Sequence, residues 1–158
     1  MKKISVLFLC THNSARSQMA EALLRTMFGD RFEAYSAGVT PTHVNPYAIE
    51  VMKEIDIDIS GYQTKSIEQF RGRTFDYVVT VCDNAQKTCP FFPGKNVMHH
   101  GFDDPSAVIG SREEVLSVFR FVRDEIKQWI ITQFGQLHTQ SNEKNIDKNS
   151  INITFIKK

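Results

Sequence analysis

Residues 10–17, CTHNSARS, place a cysteine six positions before an arginine, directly after the apolar run ISVLFL. This pair could bind and attack a tetrahedral oxyanion, because Arg16 offers a planar, permanently charged fork that can hold two oxygens. Asn13 tolerates the left-handed backbone conformation that a tightly wrapped loop needs. We expect successive backbone N–H groups and the N-terminus of the next helix to complete a positive, concave site.

Cys10 is the candidate nucleophile at the floor of this loop. An unperturbed thiol has a pKa of about 8.5, and the amides, helix dipole and arginine that attract an oxyanion should lower it to roughly 3.5 to 7.5. Ser17 could donate a hydrogen bond to the sulfur, or it could simply cap the helix. His12 is expected to face solvent. We assign oxyanion binding to the loop residues Thr11, His12, Asn13, Ser14, Ala15, Arg16 and Ser17.

Two further cysteines follow a second apolar run. Cys82 comes directly after FDYVVTV, and Cys89 lies seven residues later, across the polar stretch DNAQKT and before a proline. If these two strands are neighbours, their carboxyl ends lie about 4.8 Å apart. A disulfide requires Cα separations of roughly 4.4 to 6.8 Å, so a modest loop movement should let Cys10 and Cys82 form one. The alternative is that the cysteines are small buried residues.

The elements that must position these residues alternate between strands and helices. We predict strands at about 4–9, 32–37 and 75–81, and a fourth at 96–99. Helices are predicted to run from Ser17 to a left-handed stop at Gly29, from the cap Asn45, and from a capping box at Ser111. A second capping box, at Ser66, predicts a short helix, and residues 56–59 are expected to be a loop. This order implies an α/β fold with a parallel sheet covered on both sides.

Composition limits the function classes. The 158 residues fit one domain, and 19 basic against 18 acidic residues give no global field for nucleic acid or an anionic membrane. No apolar run approaches the ~18 residues of a membrane span. Three cysteines are too few for a secreted disulfide framework, so we expect thiols in the cytoplasm. We expect a domain at 1–137 and a polar, disordered tail at 138–158.

The loop CTHNSARS and its continuation SQMAEALLR resemble the phosphate-binding loop and first helix of the low-molecular-weight protein tyrosine phosphatase family. The pattern VTVCDNAQKTCPFFP followed by HHGFDDP resembles the thioredoxin-coupled arsenate reductase branch of that family. The resemblance covers residues from about 3 to 134. It implies a three-layer fold with a four-stranded parallel sheet in the order 2-1-3-4, no metal and no organic cofactor.

For this branch the resemblance implies reduction of arsenate to arsenite by a relay of thiols. Cys10 attacks arsenate, and Asp104, which precedes a proline, assists departure of water or hydroxide. Cys82 then attacks Cys10 and releases arsenite, after which Cys89 attacks Cys82. The Cys82–Cys89 disulfide is presented to thioredoxin, although a glutaredoxin-linked relay would use similar thiols. Phosphate is the expected competing oxyanion.

Two alternatives remain at this point. The first is a protein tyrosine phosphatase with a cysteinyl-phosphate intermediate, in which Asp104 protonates the leaving group. Members with that activity usually have an aromatic residue where this chain has Ser106, and they tend to have a second loop cysteine where it has Ala15. The second alternative is a non-enzymatic oxyanion-binding or redox-sensing module.

One departure from the family concerns a cation. Some members bind potassium beside the loop, through groups that correspond here to Asn13, Glu21, Ser36 and position 65, where an aspartate is expected. This chain has Lys65. Its ammonium could occupy the place of the cation, so we predict little dependence on potassium.

Overall fold

The computed structural model describes residues 2–83 and 92–149, without the side chains of 139–149. Cys89 and most of the polar stretch before it lie outside the described residues, as does the C-terminal INITFIKK. The elements are β1 (Ile4–Cys10), α1 (Arg16–Phe28), β2 (Phe32–Gly38), α2 (Pro46–Lys53), a 3-10 helix (Ile67–Phe70), β3 (Phe75–Thr80), β4 (Gly94–His99), a second 3-10 helix (Pro105–Ala107) and α3 (Arg112–Asn149).

The four strands form one parallel sheet in the order β2-β1-β3-β4, which confirms the predicted fold. β1 lies in the interior of the sheet, and the register pairs Cys10 with Gly38 on one side and Leu9 with Thr80 on the other. The carboxyl ends of these strands therefore lie at one edge, where an open α/β sheet binds ligands.

Both faces of β1 are buried, because side chains alternate along a strand. Phe8 and Cys10 face the layer formed by the three α-helices. Leu7 and Leu9 face the opposite layer, which contains the first 3-10 helix. The predicted apolar face of α3 is buried in the first layer: Val115, Phe119, Val122, Ile126 and Ile130.

Three predicted helix starts are confirmed by their caps. The Asn45 side chain accepts a hydrogen bond from the amide two residues later at 2.8 Å, with Pro46 in the first helical position. Ser66 accepts from the amide two residues later at 3.2 Å, and Ser111 accepts from the amide of Glu114 at 3.2 Å. Each cap satisfies a backbone N–H that the helix itself leaves unpaired.

A charged cluster ties α2 to α3. The carboxylate of Glu54, at the C-terminal end of α2, accepts hydrogen bonds from Arg120 at 2.9 Å and from Arg123 at 2.9 Å. The hydrogen bond from Arg120, followed by the one from Arg123, holds the pKa of Glu54 below its usual range. Arg123 also donates to the backbone oxygen of Val51 at 2.7 Å.

The predicted conformation of Gly29 is wrong. Its φ is −67°, in the right-handed region, and an added Cβ would collide with the carbonyl oxygen of Arg25. A glycine at this position leaves space for that carbonyl group.

The helix α3 continues to Asn149, whereas the sequence predicts a disordered segment from residue 138. No glycine or proline interrupts residues 136–149, and glutamine, glutamate and lysine are good helix formers, so propagation needs only one hydrogen bond per added residue. His138 also contacts Asp30 at 2.9 Å. The domain boundary at residue 137 stays a prediction. Even α3, the longest described helix, lacks the unbroken apolar stretch of a membrane span.

Candidate active site

Asn13 fixes the shape of the loop between β1 and α1. Its φ is +51°, the left-handed conformation that the sequence predicts, and the residue is fully buried. Its Nδ2 donates to Ser17 Oγ at 2.8 Å, and its Oδ1 accepts from the backbone N–H of Lys65 at 2.9 Å. The side chain therefore replaces backbone hydrogen bonds that such a tight turn cannot make for itself.

The carbonyl groups of the loop are turned outward. Those of Thr11, His12 and Ser14 accept hydrogen bonds, at 2.8, 3.2 and 2.9 Å, from amides of the segment 40–45. Because N–H and C=O of a planar trans peptide point in opposite directions, the N–H of each following residue points away from that segment. Such a row of amides provides the partial positive charge that binds an oxyanion.

Gly38 lets β2 approach this loop. A Cβ at Gly38 would lie 2.8 Å from the Asn13 nitrogen and 2.8 Å from the Thr11 oxygen, both of which are backbone atoms. A larger residue would therefore distort the loop itself.

Arg16 begins α1 and lies at the edge of the loop, with 14% of its side chain exposed. Its Nη1 donates to the carbonyl oxygen of Phe102 at 3.0 Å, and its Nη2 lies 3.7 Å from Asp104 Oδ2. Asp104 Oδ1 accepts from the amide and hydroxyl of Ser106 at 3.0 and 2.7 Å, so Oδ2 is the carboxylate oxygen directed at Arg16. The structure thus brings the predicted arginine and aspartate together.

Cys10 and Cys82 lie side by side at the ends of β1 and β3. Both are buried, with 3% and 2% exposure, and Cys82 is close enough to be the largest influence on the pKa of Cys10. The backbone N–H of Val81 donates to the Leu9 oxygen at 2.9 Å, so the pairing of the two strands extends to the residue before Cys82. Thr11 Oγ1 lies 3.4 Å from the sulfur of Cys82. The predicted proximity of the two cysteines is confirmed.

The predicted lowering of the Cys10 pKa is wrong for this arrangement. The hydrogen bond with Cys82 is the largest influence and raises the pKa of Cys10, and burial raises it further. The guanidinium of Arg16 and the N–H of Thr11 lower it, but by less. Two thiolates in contact would repel each other, so the pair does not readily lose both protons.

Ser17 and His12 have simpler surroundings. Ser17 Oγ accepts from Asn13, and the residue lies within α1, whose N-cap position is Ala15 without a side-chain cap. The capping alternative for Ser17 is therefore wrong, while donation to the Cys10 sulfur stays a prediction. His12 is exposed, as expected.

Lys65 lies among the groups that the family resemblance associates with a cation. Its Nζ is 3.6 Å from Glu21 Oε1 and donates to the Gln63 oxygen at 3.1 Å. The Glu21 carboxylate is buried and also accepts from the hydroxyl of Ser36 at 3.1 Å. The ammonium therefore supplies positive charge beside this buried carboxylate. Within the described ranges, no group of three or more candidate side chains has the arrangement of a metal site.

The sequence analysis does not identify Gln18 as part of the loop structure. Its buried Nε2 donates to the backbone oxygen of Asn13 at 3.1 Å, to Asn13 Oδ1 at 2.9 Å, and to the Gln63 oxygen at 3.0 Å. One feature of the sequence could have indicated this role. Gln18 is a polar residue next to Met19, in the part of α1 where all side chains are buried. The Phe102 oxygen bound by Arg16 gives no such signal, because it is a backbone atom.

Comparisons with a family model, with related sequences and with solved structures give consistent results. The sequence matches the low molecular weight phosphotyrosine protein phosphatase family over residues 5–146. It is 47% identical, over 84% of its length and 96% of the relative, to an arsenate reductase of Halalkalibacterium halodurans. Its structure is similar to an arsenate reductase in the phosphate-binding state (30% identity, 84% and 98% coverage, TM-score 0.70). It is also similar to a thioredoxin-dependent arsenate reductase of Corynebacterium glutamicum (29% identity, 83% and 64% coverage, TM-score 0.55).

Proposed function

Since the chain belongs to the low molecular weight phosphotyrosine protein phosphatase family, we propose that it uses the oxyanion loop of that family to reduce arsenate to arsenite. The electrons come from a relay of Cys10, Cys82 and Cys89, and thioredoxin resets the relay. The relatives named arsenate reductase support the substrate, and the relative named thioredoxin-dependent supports the donor. A cytoplasmic location would keep all three thiols reduced between turnovers.

The observation that carries this proposal is the pair of buried cysteines beside the loop, at the carboxyl ends of the neighbouring strands β1 and β3. A phosphatase needs one nucleophilic sulfur, whereas a two-electron reduction needs a second thiol to form a disulfide. For the attack on arsenate, we assign the thiolate to Cys10 and the proton to Cys82.

In the first step, arsenate occupies the loop, where the amides and Arg16 stabilise its negative charge. The Cys10 thiolate forms a bond to arsenic, and an oxygen leaves as water after protonation. Asp104, with Oδ2 close to Arg16, is the group we assign to that protonation. Arsenic stays in its +5 oxidation state at this point.

In the second step, Cys82 gives its proton to an oxygen of the arsenic group, and the resulting thiolate attacks the sulfur of Cys10. The S–S bond forms as the S–As bond breaks, and the electron pair of the broken bond goes to arsenic, which leaves as arsenite. The two sulfurs are oxidised by two electrons and arsenic is reduced from +5 to +3. Cys89 then attacks Cys82, returns Cys10 to its thiolate, and leaves a Cys82–Cys89 disulfide for thioredoxin to reduce.

A coupled assay tests the proposal by following arsenate-dependent oxidation of NADPH with thioredoxin and its reductase. Wild type should turn over, while Cys82→Ser and Cys89→Ser should not. Replacing thioredoxin by glutaredoxin, glutathione and glutathione reductase should abolish turnover. Turnover with the glutaredoxin system alone would overturn the assignment of the donor and leave the arsenate chemistry in place.

Phosphatase activity is the second candidate function, and the shared loop with Asp104 beside Arg16 favours it. It predicts that Cys82→Ser and Cys89→Ser hydrolyse an aryl phosphate at the wild-type rate, while Cys10→Ser does not. If that pattern occurs and no arsenate is reduced, the chain is a phosphatase. The residue after Pro105 is Ser106, which bonds to Asp104 and has no ring to hold a phosphotyrosine.

A further inference from the structure

A histidine outside the oxyanion loop connects the two chain segments around Cys82. His99, at the end of β4, contacts Thr80 Oγ1 through Nδ1 at 2.7 Å and Asp83 Oδ1 through Nε2 at 2.9 Å. Thr80 pairs with His99 in the register of the sheet, and Asp83 directly follows Cys82. The imidazole therefore spans the turn that contains Cys82.

The chemistry of the Asp83 partner fixes that Nε2 of the ring carries a proton. A carboxylate only accepts hydrogen bonds, so the Nε2 of His99 carries the proton donated to Asp83. The Thr80 hydroxyl can donate to a bare Nδ1 or accept from a protonated one, so both contacts persist in either charge state of the ring.

Gly101 leaves space for this contact. An added Cβ at Gly101 would lie 2.6 Å from Asp83 Oδ1 and 3.3 Å from His99 Nε2. Any larger residue would displace the carboxylate from the imidazole. The backbone on this side of the site is thus shaped around the bridge between Asp83 and His99.

Cys82 is consequently held on both sides. Before it, the Val81 amide donates to Leu9 at 2.9 Å, and the Val81 oxygen accepts from Phe102 at 3.0 Å. After it, within the described residues, the side chain of Asp83 reaches back to the sheet through its contact with His99. The Asp83 side chain is 80% exposed, so this second anchor can open without uncovering core residues.

We propose that His99, acting through Asp83, is a positioning residue that holds the sulfur of Cys82 against Cys10 for the disulfide-forming step. The inference rests on the proposed function and adds a residue to it. His99 touches no reacting atom. Opening of the exposed Asp83 contact then frees Cys82 for the next exchange.

The experiment compares Asp83→Ala and His99→Ala in the full chain, in a Cys89→Ser background that traps the Cys10–Cys82 disulfide. Reduced protein is mixed with arsenate and quenched with an alkylating reagent, and the disulfide is quantified by mass spectrometry. We expect the rate constant at saturating arsenate to fall about fivefold, the loss of one modest hydrogen bond, with the half-saturating arsenate concentration unchanged.

Two further variants separate positioning from general damage. Asp83→Asn keeps an acceptor for the Nε2 proton and should restore the rate to within about twofold. The matched control is Asp30→Ala, which removes another Asp–His contact of 2.9 Å, to His138. Asp30 lies beyond the far end of the 13-residue helix α1, about 20 Å from the loop, so its loss should leave the rate unchanged.

A second experiment, without arsenate, tests the positioning role independently of the proposed function. Oxidised glutathione converts the two thiols to the Cys10–Cys82 disulfide and yields two reduced glutathione molecules, and the equilibrium constant measures how well the sulfurs are held together. Asp83→Ala should lower this constant about fivefold. Unchanged constants and unchanged rates in both alanine variants would overturn the positioning role, as would a parallel loss in Asp30→Ala. A parent protein that responds to glutathione but not to arsenate would contradict only the proposed function.

Discussion

Replacing Lys65 by methionine removes the ammonium beside the buried carboxylate of Glu21 while keeping much of the apolar chain. The two charges lie 3.6 Å apart, which corresponds to about 5 kcal/mol of attraction at an effective dielectric constant near 20. Lys65 is 24% exposed and this separation is longer than a hydrogen bond, so screening and desolvation offset most of that attraction. We expect Lys65→Met to lower the free energy of unfolding by about 1 to 2 kcal/mol.

The same variant should also acquire sensitivity to potassium. Without the ammonium, the oxygens of Glu21, Ser36 and Gln63 surround a place that a monovalent cation can occupy. Denaturant unfolding in equal concentrations of sodium and potassium chloride measures both effects. Wild type should give the same stability in the two salts, and Lys65→Met should recover part of its loss in potassium.

The matched control is Lys95→Met. Lys95 lies 3.2 Å from Asp76 but is 72% exposed, so its loss should cost less than about 0.5 kcal/mol and show no preference between the salts. Two results would refute the reasoning: a wild type that is clearly more stable or more active in potassium, or a Lys65→Met variant as stable as wild type in sodium.

Three further predictions concern the thiol pair, the loop and acid stability. Cys82→Ala should lower the pKa of Cys10, because the hydrogen bond with Cys82 is the largest influence that raises this pKa. The alkylation rate of the Cys10 thiol near pH 7 should therefore increase at least tenfold. Gly38→Ala should raise the KM for arsenate about tenfold, since its Cβ would press on the Asn13 nitrogen. Glu54→Gln should destabilise the protein near pH 7 and flatten its loss of stability in acid, measured by thermal unfolding against pH.

The sign of the Glu54 effect follows from the direction of its shift. Its pKa is lowered from an ordinary value of 4.5, so its carboxylate stabilises the fold above that pH, and the stabilisation disappears as pH falls through the lower folded value. Glu54→Gln should therefore match wild type once both are well below that range. An unchanged alkylation rate in Cys82→Ala, an unchanged KM in Gly38→Ala, or an equal acid slope in Glu54→Gln would each contradict its prediction.

The sequence predicts the positions of the elements well, because the deciding interactions are local. Strand runs such as FDYVVTV and caps such as Asn45 and Ser111 depend on neighbouring residues alone. The extension of α3 is missed because a polar composition is read as disorder, although the same residues are compatible with a helix that is already nucleated.

The candidate site, too, can be predicted only where residue type and strand order decide the structure. The left-handed Asn13 and the meeting of Cys10 with Cys82 follow from residue type and strand order. The protonation of Cys10 does not, because it depends on a hydrogen bond between side chains 72 positions apart, and that contact outweighs the arginine and the amides. The contact between His99 and Asp83 cannot be predicted for the same reason, because it also joins side chains that are distant in sequence.

The central claim is that Cys10 and Cys82 act together on an oxyanion held by the loop. One equivalent of arsenate added to the reduced Cys89→Ser protein tests this most directly, with arsenite and free thiols counted after a single turnover. The account predicts one arsenite formed, two thiols lost, and a disulfide joining Cys10 to Cys82. Two alkylatable thiols at these positions, with the arsenate recovered unchanged, would contradict it.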